Sequence, residues 1–266
     1  MIRVAVVGHV EWVEFARVDH VPVPGEIVHA LETWQEPAGG GAVAAVQLAR
    51  LAGECLFFTA LGDDELGRRA AQRLEGLGVR VEAAWRSERQ RRAFVHLDAN
   101  AERTITVVGE RMGARGEDPL PWDELADVDA VYFTAGDVEA LRRARAARSL
   151  VATTRANETL VPAHVQLDVL VRSARDPGEQ YVELDPPPRY IVHTDGAFGG
   201  SLLEPDGSTT RWESAPLPRP AVDAYGAGDS FAAGLTFGLA TGRSAQEAVV
   251  EGARCGAEAM TRRGAY

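Results

Sequence analysis

The chain has 266 residues, 45% hydrophobic and 25% charged, the composition of a globular protein long enough for one α/β domain with an appendage. Its formal net charge of −11 argues against broad binding to nucleic acid or anionic membranes, and no apolar run reaches the ~20 residues of a membrane span. All 28 basic residues are arginines, which excludes a P-loop lysine and Schiff-base chemistry.

The first predicted element is a buried strand, Val4–Val7, ending at Gly8. The residues around it lack the basic start, apolar stretch and cleavage site of a signal peptide. Cys55 and Cys255 match neither a disulfide scaffold nor a metal-ligand spacing and read as reduced, buried thiols, so a cytoplasmic location is expected. A proline-rich turn (Pro22, Pro24, Gly25) precedes a strand-like stretch, Ile27–Trp34. Helix Ala42–Ala52 closes at Gly53, strand Cys55–Leu61 follows, and Asp63 or Asp64 caps a helix through Glu75 that ends at Gly76 and Gly78. Arg92–Leu97 and Arg103–Val107 read as strands flanking the turn Asp98–Glu102. Beyond them come strand Ala130–Thr134, helix Val138–Ala147, strands Ser149–Thr153 and Val169–Val171, a loop at Pro186–Pro188 and strand Tyr190–Thr194. Two helices close the series, Asp229–Thr241 and Ala245–Thr261, the second announced by the capping box Ser244/Glu247.

Alternating β and α units predict a mostly parallel sheet covered on both faces. The strands that break the rhythm predict a small β-sheet lid, formed by about residues 10–37 and 88–110, within a single domain spanning 1–266. Unpaired edges at Ile27–Trp34 and Arg92–Leu97 predict a homodimer that pairs two lids.

The segment that carries chemistry is Val222-Asp223-Ala224-Tyr225-Gly226-Ala227-Gly228-Asp229-Ser230-Phe231. Gly226, Ala227 and Gly228 make a tight turn with no large side chain over the backbone, and a helix begins there. Its exposed N–H groups and dipole form an anion site. A bare Gly-x-Gly-Asp is also an ordinary helix cap. Yet a carboxylate beside an anion site repels phosphate, so Asp229 makes chemical sense as the acceptor of a proton from a hydroxyl that attacks the phosphate.

This segment resembles the C-terminal signature of the ribokinase-like (PfkB) carbohydrate kinases, D-T-x-G-A-G-D-x-F, with Asp223, Gly226, Ala227, Gly228, Asp229 and Phe231 fitting and Ala224 in place of the usual small hydroxyl residue. The resemblance extends to Ala38-Gly39-Gly40-Gly41-Ala42, similar to the N-terminal glycine-rich signature, and to Gly62-Asp63-Asp64-Glu65-Leu66-Gly67, similar to its G-x-D-x-x-G continuation. Thr194-Asp195-Gly196-Ala197-Phe198-Gly199 is similar to the T-x-G-x-x-G nucleotide loop, and Thr261–Ala265 to the segment closing the adenine and monovalent-cation region.

The resemblance implies a three-layer α/β sandwich with a β lid, and transfer of the γ-phosphoryl group of ATP to a hydroxyl of a small sugar-like or nucleoside-like molecule. It implies Asp229 as general base and the Gly226, Ala227 and Gly228 backbone as anion hole. ATP would lie along Thr194, Gly196, Gly199, Gly226 and Gly228. Substrate would sit near Gly39, Gly40, Gly41 and Asp229, and Asp223, Tyr225 and Gly264 match positions that surround K⁺. Three departures stand beside it. The N-x-x-E motif that orders Mg²⁺ aligns with Ser173–Asp176, leaving Asp176 and Glu179 as candidate substitutes. Two hydroxyl-gripping positions align with Val13 and Val43, leaving Glu11 and Glu14 for that role and Trp12 to stack on a ring. Only about 18 residues separate Asp176 from Thr194, too few for the helix-bearing connection usual in the family. Among the histidines, His9 is placed nearest to substrate, and Arg103 reads as a solvated charge at the start of a lid strand. A kinase of a vitamin-precursor alcohol (hydroxymethylpyrimidine- or pyridoxal-like) and a nucleotide-binding protein without turnover remain alternatives.

Overall fold

The computed structural model describes residues 2–100 and 102–266; Met1, and Ala101 within the expected turn Asp98–Glu102, lie outside them. In chain order the first half contains β1 (Val4–Val7), β2 (Glu11–Arg17), β3 (Glu32–Ala38), α1 (Gly40–Ala52), β4 (Cys55–Gly62), α2 (Glu65–Glu75), β5 (Val79–Arg86), β6 (Arg92–Leu97) and β7 (Arg103–Val108). The second half contains β8 (Ala130–Phe133), α3 (Val138–Ala144), β9 (Ser149–Thr153), α4 (Asn157–Ala163), β10 (Val169–Ser173), β11 (Tyr190–Thr194), β12 (Gly200–Leu203), β13 (Thr209–Trp212), α5 (Ala227–Ala240) and α6 (Ala245–Ala259).

Nine strands, among the described residues, form the main sheet in the order β13-β12-β11-β10-β9-β8-β1-β4-β5. Every pairing from β5 across to β11 is parallel, and the β12–β13 hairpin extends the edge antiparallel. The alternation of side chains along a strand splits β1 between two cores. Val4 and Val6 join Phe57 and Tyr132 under Ala44, Leu48, Ala232 and Leu235 of α1 and α5. Ala5 and Val7 join Phe58 and Phe133 under Leu141 and Leu160 of α3 and α4. Helices on both faces are why these strands carry apolar residues at successive positions.

The helix starts follow local capping chemistry. Asp64 accepts from the Gly67 N–H at 2.9 Å, and Ser244 and Glu247 close the expected capping box. Helix α5 begins at Ala227, two residues before the expected start, because Gly226 takes a left-handed φ of 73° that turns the chain into the helix.

A second sheet, β3-β2-β6-β7, is the lid. Two expectations need correction here. The strand expected at Ile27–Trp34 lies at Glu32–Ala38 instead; Ile27 and Leu31 have nothing to cover them and are largely exposed, whereas Glu32–Ala38 finds a partner in β2. Arg92–Leu97 is interior, bonded to β2 on one side and β7 on the other, so the lid edges are β3 and β7.

The lid joins the main domain through Val13, Phe15, Val95, Val43, Tyr225 and Ala265, with Phe15 stacked on Trp34 and edge-on to Tyr225. The last residues lie along β3. Arg263 pairs with Glu32 and covers the Trp34 ring, and Tyr266 donates to the Pro37 carbonyl. Between them the Ala265 N–H donates to Glu36 Oε1 at 2.7 Å.

Candidate active site

The C-terminal ends of the parallel strands deliver the polar residues to one edge of the sheet, as open α/β sheets do. His9 follows β1, Thr134 follows β8, Arg155 follows β9, Asp176 and Glu179 follow β10, and Thr194–Gly199 ends and follows β11. Across from them stands the start of α5.

Asp229 is in the first turn of α5, partly open to the cleft yet ringed by protein. Burial is the main cause that lifts its pKa to about 6; the nearby Glu179 carboxylate adds to the rise, while Arg103 and Arg155 oppose it. A carboxyl group whose pKa is close to neutral can both take a proton and release it. Beside it the backbone is bare. A side chain at Gly228 would meet nothing, so the first-turn N–H groups are open to an incoming anion.

Helix α1 meets Asp229 head-on, which explains the glycine run. A Cβ at Gly40 would lie 2.7 Å from Asp229 Oδ1, and one at Gly41 would lie 2.7 Å from the His9 backbone. Gly39 borders His9 and the Glu11 side chain, and its N–H donates to the Tyr225 hydroxyl at 3.2 Å. Asp229, Gly39, Gly40, Gly41, Glu11 and His9 are therefore gathered in one place. Burial, aided by Arg111, Arg91 and Arg155, holds the His9 pKa well below its usual value, leaving a neutral imidazole 3.5 Å from the Thr134 hydroxyl.

Two candidates for the substrate are placed elsewhere. Glu14 is an odd number of residues from Glu11 on β2 and so projects from the opposite face of the lid. Trp12 is buried, held by Arg69 over its ring at 4.5 Å and by Gln35, so it fastens the lid to α2. Val13 and Val43 are fully buried in the lid–domain core.

The candidate Mg²⁺ carboxylates are engaged with donors of the protein. Asp176 accepts from Arg155 and from the Gly178 N–H at 2.8 Å. Glu179 accepts from Arg155 Nε at 3.3 Å and from the Ser173 N–H at 2.6 Å. Each of the four oxygens thus accepts one hydrogen bond, and among the described residues no cluster of three or more carboxylate, histidine or cysteine ligands occurs. The K⁺ candidates do converge. Asp223, buried and with its pKa raised by burial, accepts from the Tyr225 N–H at 2.8 Å and the Gly264 N–H at 2.9 Å.

Thr194, Gly196 and Gly199 form a tight loop, with φ of 57° and 76° at the two glycines. Phe198 is 77% exposed there, with the Arg175 guanidinium 5.1 Å over its ring and Arg175 Nε 2.7 Å from Asp195 Oδ1. Behind the loop Trp212 of β13 stacks on Phe231 of α5, fixing the loop relative to the turn at the start of α5.

Sequence reasoning missed several arginines. Arg103 is no free edge charge: its Nη1 donates to the Ala224 carbonyl at 3.0 Å, reaching from β7 to the segment before α5. Arg91, Arg111 and Arg155 also lie close enough for their charges to act on His9. In a chain whose basic residues are all arginine, no local signal separates these from solvated ones.

The model of the pfkB family carbohydrate kinases matches residues 1–184 and 158–266. An ATP-dependent ribose-1-phosphate kinase of Halopiger xanaduensis is 29% identical over 284 residues, covering 100% of this chain and 94% of the relative. A ribokinase of Thermotoga maritima superposes with a TM-score of 0.79 at 22% identity, covering 100% of this chain and 95% of the other. An adenosine kinase of Sinorhizobium meliloti does so with a TM-score of 0.77 at 18% identity, covering 98% and 94%. With the family model running from one end of the sequence to the other and the glycine turns where its fold requires them, the chain belongs to the pfkB family of carbohydrate kinases.

Proposed function

We propose that this protein transfers the γ-phosphoryl group of ATP to a hydroxyl of a small sugar-like or nucleoside-like molecule, with Asp229 as general base. The observation that carries this reading is the Asp229 carboxylate, its pKa raised by burial to about 6, standing between the bare N–H groups of the α5 turn and the glycine floor at Gly40. The acceptor hydroxyl loses its proton to Asp229 as its oxygen bonds to the γ-phosphorus. The bond from that phosphorus to the bridging oxygen breaks, and ADP departs. The N–H groups of Gly228 and Asp229 hold the transferring group in line.

The nucleotide would lie along Thr194–Gly199, with exposed Phe198 offered to the base. Divalent cations neutralise triphosphate charge in solution and in kinase sites alike. Asp176 and Glu179 would fix Arg155 at the edge of the site and would be the carboxylates nearest to a cation carried in with the triphosphate. Asp223, Tyr225 and Gly264 would set a K⁺-responsive loop behind the turn. The open edge of β7, exposed at all six positions, is where a second lid would pair.

The relatives' names span a neutral sugar, a sugar phosphate and a nucleoside, so the choice among acceptors falls to the residues of the pocket. The deciding experiment is an ATP-consumption screen over sugars, sugar phosphates, nucleosides and vitamin-precursor alcohols with Mg²⁺, run in K⁺ and in Na⁺. Turnover with a sugar or nucleoside acceptor that Asp229→Asn abolishes supports the proposal. ATP consumption only with a hydroxymethylpyrimidine or pyridoxal overturns the acceptor class, and none with any acceptor overturns catalysis.

A further inference from the structure

The chain passes from the main domain into the lid at Val10–Glu11 and again at Gln90–Arg91. The two crossings run side by side, the Trp12 N–H donating to the Arg91 carbonyl at 2.8 Å as β2 and β6 set off in parallel. Between them sits the side-chain amide of Gln90, a residue only 3% exposed. Its Oε1 accepts from the Gly62 N–H at 3.1 Å. Its Nε2 donates to the Val10 carbonyl at 2.9 Å and, more weakly, to the Arg91 carbonyl at 3.4 Å. The partners decide which end of the amide is oxygen, because a backbone N–H needs an acceptor and a carbonyl needs a donor. The backbone N–H of Gln90 donates to Asp64 Oδ2 at 2.9 Å, while Asp64 Oδ1 takes the Gly67 N–H that begins α2. One residue therefore joins both crossings to each other, to the end of β4 and to the start of α2.

The fit is close. A Cβ at Gly62 would lie 2.4 Å from the Gln90 N and 2.8 Å from the Glu88 carbonyl oxygen, so the 87–91 connection rests directly on the end of β4. A buried amide is unfavourable unless its donors and acceptor are met, and here they are. Such a fully bonded group specifies one arrangement, since its bonds are lost together when the joined pieces rotate. Immediately beyond the two crossings stand Glu11 and Arg91, joined at 2.7 Å. A Cβ at Gly39 would lie 3.2 Å from both Glu11 Cγ and His9 Cδ2, and one at Gly40 would lie 2.7 Å from Asp229 Oδ1 and 3.7 Å from His9 Cε1. Whatever sets the angle at which the crossings leave the floor also sets where Glu11 and Arg91 stand relative to Asp229.

We propose that Gln90 is a positioning residue: its amide fixes the angle of the lid over the floor and thereby sets Glu11 and Arg91 beside Asp229. It acts through the Val10 carbonyl and the Gly62 N–H, without touching nucleotide or acceptor. The link to the acceptor rests on the kinase reading above; the fixing of the lid does not.

The test is a spin-label distance measurement on the full chain, with nitroxides on cysteines introduced by Thr106→Cys on β7 and Val250→Cys on α6. Both positions are exposed, and the native Cys55 and Cys255 are buried. An excess of unlabelled chain restricts the readout to pairs within one molecule. With Gln90 in place a single narrow distance distribution is expected. Gln90→Met, similar in volume but without hydrogen bonds, should widen it at least about twofold, because the crossings are then free to rotate. Gln90→Glu is the discriminating variant. Protonated, its carboxyl can accept from Gly62 and donate to Val10 as the amide does; ionised, it has no donor and faces a carbonyl. Burial and the neighbouring Asp64 carboxylate hold that new carboxyl above its usual pKa, so the distribution should be wide at about pH 8 and return to the Gln90 width at about pH 5. A melting scan shows which variants fold; if Gln90→Met does not, Gln90→Glu decides alone. A folded Gln90→Met as narrow as the Gln90 chain, or Gln90→Glu with one width at both pH values, overturns the proposal. In the ATP-consumption assay Gln90→Met should raise the acceptor KM at least about tenfold and leave the KM for ATP unmoved, whereas an equal rise in both overturns the link to the acceptor. A lid that widens as expected in a chain that never consumes ATP upholds the fixing of the lid and refutes the kinase reading instead.

Discussion

Replacing Asp229 by asparagine separates its role in catalysis from its effect on stability, because the two respond to pH in different ways. Asparagine is nearly isosteric and leaves the α5 turn intact, but it cannot take a proton. General-base removal lowers rates by about 10² to 10⁴. The stability change has the opposite sign. Asp229 titrates near 3.8 in the unfolded chain and near 6 in the folded one. A raised folded pKa contributes stability that is fully present below pH 3.8 and lost as pH rises through about 6. At pH 8 the folded protein therefore carries a carboxylate that would be better ionised in water. At ~1.4 kcal/mol per pKa unit that penalty is about 3 kcal/mol, which partial opening to the cleft trims to about 1–2. Asparagine removes it, so the variant should melt a few degrees higher at pH 8, at about 2–4 °C per kcal/mol. The gain should hold from pH 8 down to about pH 6 and shrink below it, vanishing near pH 3.8. Coupled-enzyme assays of the wild type should show kcat/KM falling below about pH 6 as the base is protonated. A kcat within about threefold of wild type, with chemistry shown to be rate-limiting, would refute the base assignment. A melting difference that is flat with pH would refute the account of its environment.

Arg103→Ala removes a positive charge that lowers the Asp229 pKa, so the acid limb of kcat/KM should move to higher pH; an unmoved limb would mean that Arg103 acts only as a strut. Ser244→Ala breaks the capping box of α6 and should cost about 1 kcal/mol by denaturant titration with turnover unchanged, whereas a loss of activity would link α6 to the site in a way its position does not show. Light scattering at micromolar concentration should give the mass of a dimer paired along β7, and a monomer mass removes that arrangement.

The interior of the main sheet was legible because strands covered on both faces carry apolar residues at successive positions: Val4–Val7, Ser149–Thr153 and Tyr190–Thr194 fall where the sequence places them. By contrast β5, β12 and β13, toward the edges and less completely covered, were not read as strands. The lid was harder, since its strands have one half-open face and their register depends on partners distant in sequence. Glu32–Ala38 pairs with Glu11–Arg17 and carries Pro37, a residue that local propensity counts against a strand but that an edge position tolerates. At the site, the glycine turns were legible because backbone close to backbone admits no other residue. Trp12 and Glu14 were not, because one step along a strand decides which face a side chain takes. The arginines were hidden for another reason: their partners, the Ala224 carbonyl and Glu11, are brought to them only by the fold.

Both edges of the lid are tied to the same few residues of the floor. From β7, Arg103 holds the Ala224 carbonyl. From β3, Glu36 holds the Ala265 N–H, next to Gly264, whose own N–H is held by Asp223. The lid thus resembles a drawbridge with a chain at each corner, both chains anchored in the sill. A hinge that opened one side alone would tear a contact at that side, and a hinge that opened both would carry residues 223–225 and 264–265 along. Any movement of the lid would then displace the turn before α5 as well. The backbone amides of Tyr225 and Gly264, both sheltered by Asp223, become natural reporters of it, their hydrogen exchange rising when the cleft is empty and falling when it is filled.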